Sequence, residues 1–443
     1  MLKRVTASRE VSSVGIPIGK ASFPAPFASG LEYASPARGT WNIVHTGMLI
    51  PEAHEIFVCA ASCLRGVVLT AAELNMAHRF STVEVRENNL LDGDMEDLVI
   101  DGVSDIIEKL PKHPPVVLVY TSCVHHFAGC DLDMIYGKLG NRYPDIDFVD
   151  CYMNPIMRKS GLTPDQLMRS RLYQPLKPRP IRKDAVSIIG SDLPTDESSD
   201  LMQLLGSNHL KIHEITSCST YGEYQEMAES AFYISYYPAA VAGGDMLAHR
   251  LGGKHIYVPF SFDYDEIEAG FTKLAEGLGV GVPDFTGKRE ACAAALQETL
   301  ALVGSTPIAI DYTYCPRPLG LAKLLVTAGF NVQRVYLDVV TGEEKAAFED
   351  LKENFPSLEL YPTVHASMRF LAAKEPSGFL AIGQKAAHFT NTNHFVNVVE
   401  GGGMLGYQAV LKTLELIRDA HREEKDMRNL IQIKGMGCGG CCG

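Results

Sequence analysis

The sequence predicts an α/β protein with parallel sheets, and three observations lead to this class. Short apolar runs alternate along the chain with helix-forming segments, a pattern typical of parallel strands joined by helical crossovers. The run at residues 114–121 is continuously apolar, as expected for a strand buried on both faces of a sheet. At 443 residues the chain is too long for one hydrophobic core. Two or three α/β units are therefore expected.

Composition excludes several classes of function. The chain has 40 basic and 53 acidic residues, a net charge of −13, and no basic run interleaved with aromatic residues. This balance argues against nucleic acid or an anionic membrane as the partner. It is compatible with a basic protein as the partner. The N-terminus lacks the apolar core of a signal peptide, and no apolar run approaches the roughly eighteen residues of a membrane helix. A cytoplasmic protein is expected.

Eleven cysteines in such a chain need an explanation other than disulfides, because the cytoplasm keeps thiols reduced. Their clustering indicates metal ligation. Cys218 and Cys292 stand alone in the sequence and are interpreted as ordinary buried residues.

Four cysteines form the candidate metal site. Cys59 and Cys63 form one pair, and Cys123 and Cys130 form a second pair about sixty residues later. Each pair lies where an extended run passes into a helix, the place where α/β units bind ligands. If the predicted helix 60–79 begins at the first thiol, the second lies one turn on, and the helix N-terminus favours the thiolate. For Cys63 and Cys130, a small buried thiol without a ligand role is the alternative.

The chain is predicted to divide into five segments. The units indicated are a surface leader at 1–40, a cluster-binding domain at 41–183, a second domain at 184–304, a third domain with a closing helix at 305–425, and a Cys/Gly-rich tail at 426–443. No strand is followed by a Walker sequence, so nucleotide binding by this chain is not expected.

The tail contains three further candidate metal ligands, Cys438, Cys441 and Cys442. Thiols on a glycine-rich end could reach a cluster, deliver metal or exchange a disulfide. The alternative is a metal-binding tail without a catalytic role.

Two histidines, His125 and His126, follow Cys123 closely. They could donate hydrogen bonds to a metal ligand. The alternative is that both are surface histidines at the start of a helix.

These residues resemble a known family. Cys59-Ala-Ala-Ser-Cys63-Leu-Arg-Gly-Val-Val is similar to the first cluster-cysteine segment of the nitrogenase component 1 superfamily. Thr121-Ser-Cys123 through Gly129-Cys-Asp-Leu-Asp is similar to its later cysteine segment. The segments that begin at Asp311 and Gly378 resemble parts of its third domain.

That family contains the molybdenum–iron protein of nitrogenase, cofactor-assembly scaffolds and tetrapyrrole reductases. The resemblance implies three Rossmann-like domains, dimerisation with itself or a related chain, and an iron–sulfur cluster at the subunit interface, 4Fe–4S being the expected type. It also implies electron transfer from a separate ATP-hydrolysing iron protein. Cys59 and Cys123 match family ligands. The family's intervening cysteine is absent, and Cys63 and Cys130 are candidates to replace it.

Two departures bear on the substrate. Where nitrogenase supplies a cysteine to its active-site cofactor, this chain has Tyr236-Tyr237, and where nitrogenase supplies a histidine it has Val398-Val-Glu-Gly. Dinitrogen is therefore not expected to be the substrate.

Three functions remain open. The preferred one is an iron–sulfur reductase component acting on an unidentified substrate. The second is a non-catalytic scaffold for assembly of a metallocluster or cofactor. The third is a cluster-free ligand-binding protein, which leaves the clustered cysteines unexplained.

Overall fold

The structure is a computed structural model that describes residues 14–30, 32, 43–153, 161–370 and 377–432. No helix in these ranges is both long and apolar enough to cross a membrane.

The strands in chain order are β1 (Ile16–Pro17), β2 (His54–Ala60), β3 (Phe80–Val85), β4 (Val116–Ser122), β5 (Asp147–Met153), β6 (Arg182–Ile188), β7 (Lys211–Glu214), β8 (Ser230–Ser235), β9 (Lys254–Tyr257), β10 (Ile308–Asp311), β11 (Val332–Tyr336), β12 (Glu359–Tyr361), β13 (Leu380–Ile382) and β14 (Phe395–Val396).

The α-helices in chain order are α1 (Ile43–Met48), α2 (Ala61–Glu73), α3 (Glu87–Asp92), α4 (Met95–Lys109), α5 (Cys123–Ala128), α6 (Leu132–Arg142), α7 (Pro164–Arg171), α8 (Asp200–Ser207), α9 (Tyr221–Glu226), α10 (Val241–Leu251), α11 (Tyr264–Leu278), α12 (Lys288–Val303), α13 (Pro318–Thr327), α14 (Lys345–Asn354), α15 (Gln384–Thr390) and α16 (Tyr407–Arg422).

These strands form three sheets. The first has the order β3-β2-β4-β5, the second β7-β6-β8-β9, and the third β1-β12-β11-β10-β13-β14. The first two are parallel throughout, and in the third β1 runs antiparallel to β12 while the other pairs are parallel. The α/β class with parallel sheets, predicted from the alternation of strands and helices, is confirmed.

The chain forms two compact units. The first two sheets belong to one unit, made of Thr40–Pro194 and Leu205–Val258. The third sheet belongs to the other unit, made of Met1–Gly39, Thr195–Leu204 and Pro259–Gly443.

The first sheet is covered on both faces, because alternate residues of a strand point to opposite sides. Phe57 and Cys59 of β2 pack in one apolar cluster, whereas Ile56 and Val58 pack in another. Every residue of β4 is buried. This two-sided burial explains the continuous apolar run in the sequence.

The third sheet includes part of the segment predicted to be a surface leader. Ile16 pairs with Leu360, and the next apolar residue, Ile18, is fully buried. At the end of β10, an interior strand of this sheet, the buried Asp311 accepts hydrogen bonds from the backbone N–H groups of Thr313 and Ala386, both at 2.6 Å. These bonds join β10 to α15.

The predicted helix 60–79 is shorter in the structure. It begins at Ala61, ends at Glu73, and is followed by Asn75 in the left-handed region with φ 57°. The chain then enters β3, a strand that was not predicted, with Val83 and Val85 buried. The alternation of these valines with polar residues is the strand period, and it lies beyond residue 79, where the predicted helix ends.

Candidate functional site

The crevice at the end of the first sheet brings two of the predicted thiols together. The chain runs from β2 outward to β3 on one side, and from β4 outward to β5 on the other. This reversal of strand order opens a crevice at the carboxyl ends of β2 and β4, where open α/β sheets bind ligands. Cys59 is the second-last residue of β2, and Cys123 directly follows β4. Val58 pairs with Thr121, so Cys59 and Cys123 lie at the same edge of two adjacent strands. Neighbouring strands of a sheet are spaced about 4.8 Å apart.

A third thiol, Cys63, lies near this pair. Cys59 is fully buried, and its pKa is raised to about 12, first by burial and then by the negative charges of the Cys63 and Cys123 thiolates. Charges influence a thiol in this way only at short range, so Cys63 and Cys123 both lie in the vicinity of Cys59. Cys63 is exposed in the first turn of α2, and Cys123 is half-buried. Contrary to the expectation from helix 60–79, Cys59 belongs to the strand, so the two thiols do not share a helix face.

Cys130 has other neighbours. It follows α5 and packs against the apolar cluster on the face of the sheet opposite to Cys59. Burial and the nearby Glu96 carboxylate raise the pKa of its thiol. The structure does not bring Cys130 together with the other three cysteines, and its role as a ligand stays a prediction. Cys438, Cys441 and Cys442 lie outside the described residues.

The two histidines after Cys123 differ. His126 is exposed, whereas His125 is only 1% exposed. The backbone N–H of Ser122 donates a hydrogen bond to Nδ1 of His125 at 3.1 Å. Burial lowers the pKa of His125, so its ring is neutral near pH 7. Sequence reasoning named both histidines but had no signal that separated them.

A surface next to α5 combines apolar side chains with negative charge. Leu90, Leu91 and Phe127 are 47%, 85% and 72% exposed. An open cavity of about 450 Å³ lies beside them, lined by Leu90, Phe127 and residues including Glu96 and Cys130. Segments 84–97 and 123–133 carry eight carboxylates and one arginine, more than half of the chain's net charge of −13. We call this surface the acidic apolar face.

The donor set fits part of an iron–sulfur site. Thiolates are the protein ligands that iron–sulfur clusters use, and a cluster of the 4Fe–4S type needs four. Among the described residues, no group of three or more His, Cys, Asp or Glu side chains is close enough to hold a metal ion by itself. Cys59, Cys63 and Cys123 therefore fit a cluster only if a further chain completes the ligand set.

The positions compared with nitrogenase cofactor ligands carry no thiol or imidazole. Tyr236 is buried, and the ring of Tyr237 lies 4.4 Å from the guanidinium carbon of Arg169. Arg169 is itself buried and forms an ion pair with Asp192 at 2.8 Å. In the other unit, the backbone N–H of Glu400 donates to the carbonyl of Thr313 at 2.9 Å.

Three largely parallel sheets with thiols gathered at a strand-order reversal define a multi-sheet α/β protein with a cysteine-containing crevice. The family model described as nitrogenase component 1 type oxidoreductase matches residues 46–413. The chain belongs to this family.

Solved structures agree with this fold. A chain titled "Nitrogenase Cp1 at pH 6.5" is similar with a TM-score of 0.64 and 13% sequence identity, covering 89% of this chain and 94% of that one. A second, "Nitrogenase Cp1 at pH 5", gives a TM-score of 0.54 and 12% identity, covering 89% and 90%. At such identities the likeness concerns the fold alone. No curated protein matches the sequence.

Proposed function

We propose that this chain is a nitrogenase-like component 1 subunit that binds an iron–sulfur cluster at a subunit interface and relays electrons to a bound substrate. The observation that supports the proposal is the register of β2 and β4, which puts Cys59 and Cys123 at the same edge of adjacent strands, with Cys63 in the first turn of the helix that follows β2. A bound cluster supplies single-electron transfer. The chain's own part is to hold it with Cys59 and Cys123 and to shield it by burial.

The incomplete ligand set supports a shared cluster. One chain offers two or three thiols at the crevice, and two chains brought together there offer at least four. A 4Fe–4S cluster held by a homodimer, or by a heterodimer with a related chain, follows from this count. Cys130 and the tail cysteines are further candidate ligands. Cys130 is included because it follows the helix that begins at Cys123.

The electron donor in this proposal is a separate ATP-hydrolysing iron protein. The acidic apolar face supports a docking role, because exposed apolar groups of this size mark interaction sites and carboxylates favour a basic partner. Helix α5 carries both Cys123 and Phe127, one turn apart, so a protein seated on this face lies close to Cys123. The location we infer is the cytoplasm, where the thiols stay reduced.

We infer that the substrate is not dinitrogen. Tyr236 and Tyr237 stand where a soft thiolate ligand would be needed, and the phenol ring of Tyr237 is already stacked against Arg169. The alternative function, a scaffold for metallocluster or cofactor assembly, is favoured by the three thiols of the tail.

Iron and acid-labile sulfide on anaerobically purified protein test the proposal. About two irons per chain are expected in wild type, and this iron should be lost in Cys59→Ala and in Cys123→Ala. The control Cys218→Ser should keep its iron, because the Cys218 thiol donates a hydrogen bond to the carbonyl of Glu214. Retention of four or more irons in both crevice variants would contradict the site. Cluster transfer to an apo-protein without turnover would favour the scaffold.

A further inference from the structure

The hydrogen position on His125 is fixed by its neighbour. The Ser122 backbone N–H points at Nδ1 at 3.1 Å, so Nδ1 must offer a lone pair. A neutral imidazole then carries its single hydrogen on Nε2. The ring is therefore a preset N–H donor and adds no charge.

That donor has no acceptor. Nε2 of His125 is buried and has no hydrogen-bond partner among the described residues. A buried donor without a partner is destabilising, and native proteins rarely retain one without a reason. An acceptor that arrives with a bound group would remove this cost.

The ring lies at the thiol crevice. His125 is the third residue of the helix that Cys123 begins, and it reaches back to the N–H at the end of β4. Its fixed N–H is therefore held beside the carboxyl edge where Cys59 and Cys123 meet. Sulfur of a thiolate or of a bridging sulfide is the acceptor that a cluster would supply there.

We propose that Nε2–H of His125 donates a hydrogen bond to sulfur at the bound cluster, either the Cys123 thiolate or a sulfide, and thereby raises the reduction potential. This inference rests on the proposed function. A hydrogen bond to sulfur withdraws electron density, which stabilises the reduced cluster because it carries one more negative charge. His125 is a positioning residue that acts through the sulfur.

Two substitutions separate this role from a purely structural one. In His125→Asn the side-chain oxygen keeps an acceptor for the Ser122 N–H, but the Nε2–H is lost. In His125→Gln the amide N–H extends to about the position of Nε2, while the acceptor at Nδ1 is lost. A structural role as helix cap predicts that Asn rescues and Gln does not, and the sulfur-bonding role predicts the reverse.

The experiment is a redox titration of the cluster in wild type, His125→Asn, His125→Gln and the exposed control His126→Asn, followed by electron paramagnetic resonance at equal iron content. The expected result is about tenfold less reduced cluster in His125→Asn at a fixed potential, which corresponds to about 59 mV for one electron, with Gln and the control close to wild type.

Two results would overturn the inference. If His125→Asn binds full iron with the wild-type potential, or if Gln shifts as far as Asn does, the hydrogen bond to sulfur is absent while the proposed function stands. If wild type binds no iron or sulfide, the proposed function fails and the inference fails with it.

Discussion

Tyr120 donates its hydroxyl hydrogen to Oε1 of Glu55 at 3.3 Å inside the core of the first sheet. Both residues are fully buried, and Glu55 lies on the same face of β2 as Cys59, since alternate residues share a face. Burial raises the pKa of Glu55 well above its usual value, although the Tyr120 bond and the charge of Arg79 lower it. The carboxyl group therefore keeps its proton to higher pH than an exposed glutamate does.

Glu55→Gln should become more stable relative to wild type as pH rises. The folded wild type binds the Glu55 proton more tightly than the unfolded chain, so it loses stability as pH rises above the unfolded pKa of about 4.3 and up to the folded pKa. Gln has no such loss. The gain should reach up to about 1.4 kcal/mol per pH unit in urea unfolding at pH 5, 6.5 and 8.

The exposed Glu87→Gln serves as the control for this series, because it makes the same substitution on the surface instead of in the core. A stability difference between Glu55→Gln and wild type that is constant over the three pH values would contradict the prediction.

Gly47→Ala should destabilise the protein. A Cβ at this position would overlap Oε1 of Glu55 and Oη of Tyr120, and neither buried side chain can move aside. We expect a loss of about 1–3 kcal/mol in urea unfolding. Gly66→Ala, inside α2 with nothing within 4 Å of its Cβ, should instead gain about 0.5–1 kcal/mol. Equal effects of the two substitutions would show that the close packing at Gly47 is unimportant.

Cys63 should be alkylated long before Cys59 in the metal-free protein. Cys63 is exposed, whereas Cys59 is buried with a pKa raised to about 12. Relative to a thiol of pKa about 8.5, the thiolate of Cys59 is about three orders of magnitude rarer at pH 8. Mass spectrometry after timed iodoacetamide treatment measures both rates, with urea-unfolded protein as the control. Comparable rates in the folded protein would contradict the buried placement of Cys59.

Phe127→Ser should weaken binding of the proposed iron protein. Truncating an exposed aromatic group at the centre of a docking surface typically costs about 2 kcal/mol or more, close to thirtyfold in affinity. Val339→Ser, which changes an apolar residue that is 61% exposed in the other unit, is the control. Calorimetry at low and moderate salt should also find weaker wild-type binding as salt rises. Unchanged affinity in Phe127→Ser would move the docking surface elsewhere.

The alternation of strands and helices could be predicted from the sequence, because apolar runs and helix-forming segments are local patterns. The run 114–121 predicted β4 correctly. The predicted helix 60–79 passed the end of α2 because Asn75, in a left-handed conformation two residues beyond it, is a weaker stop signal than glycine, and the edge strand β3 was not predicted. The predicted domain boundaries stay predictions.

The candidate site was partly readable. Strand ends followed by cysteines located Cys59 and Cys123, because ligand positions in parallel sheets follow topology. The separation of Cys130 from the other thiols depends on which face of the sheet each helix covers. The burial of His125 depends on the hydrogen bond between its ring and the backbone N–H of Ser122, three residues earlier. Neither relation has a periodic signal in the sequence.

The register of β2 against β4 also sets the order of events in biosynthesis. Cys59 and Cys123 are 64 residues apart in the chain, and they become neighbours only through this non-local pairing. Closing so long a loop is an entropic cost that must be met before the paired strands stabilise it. While β4 is still inside the ribosome, the nascent chain therefore exposes Cys59 and Cys63 without Cys123. The cysteine crevice forms only when folding of the first sheet is complete, so it cannot act as a template for that folding.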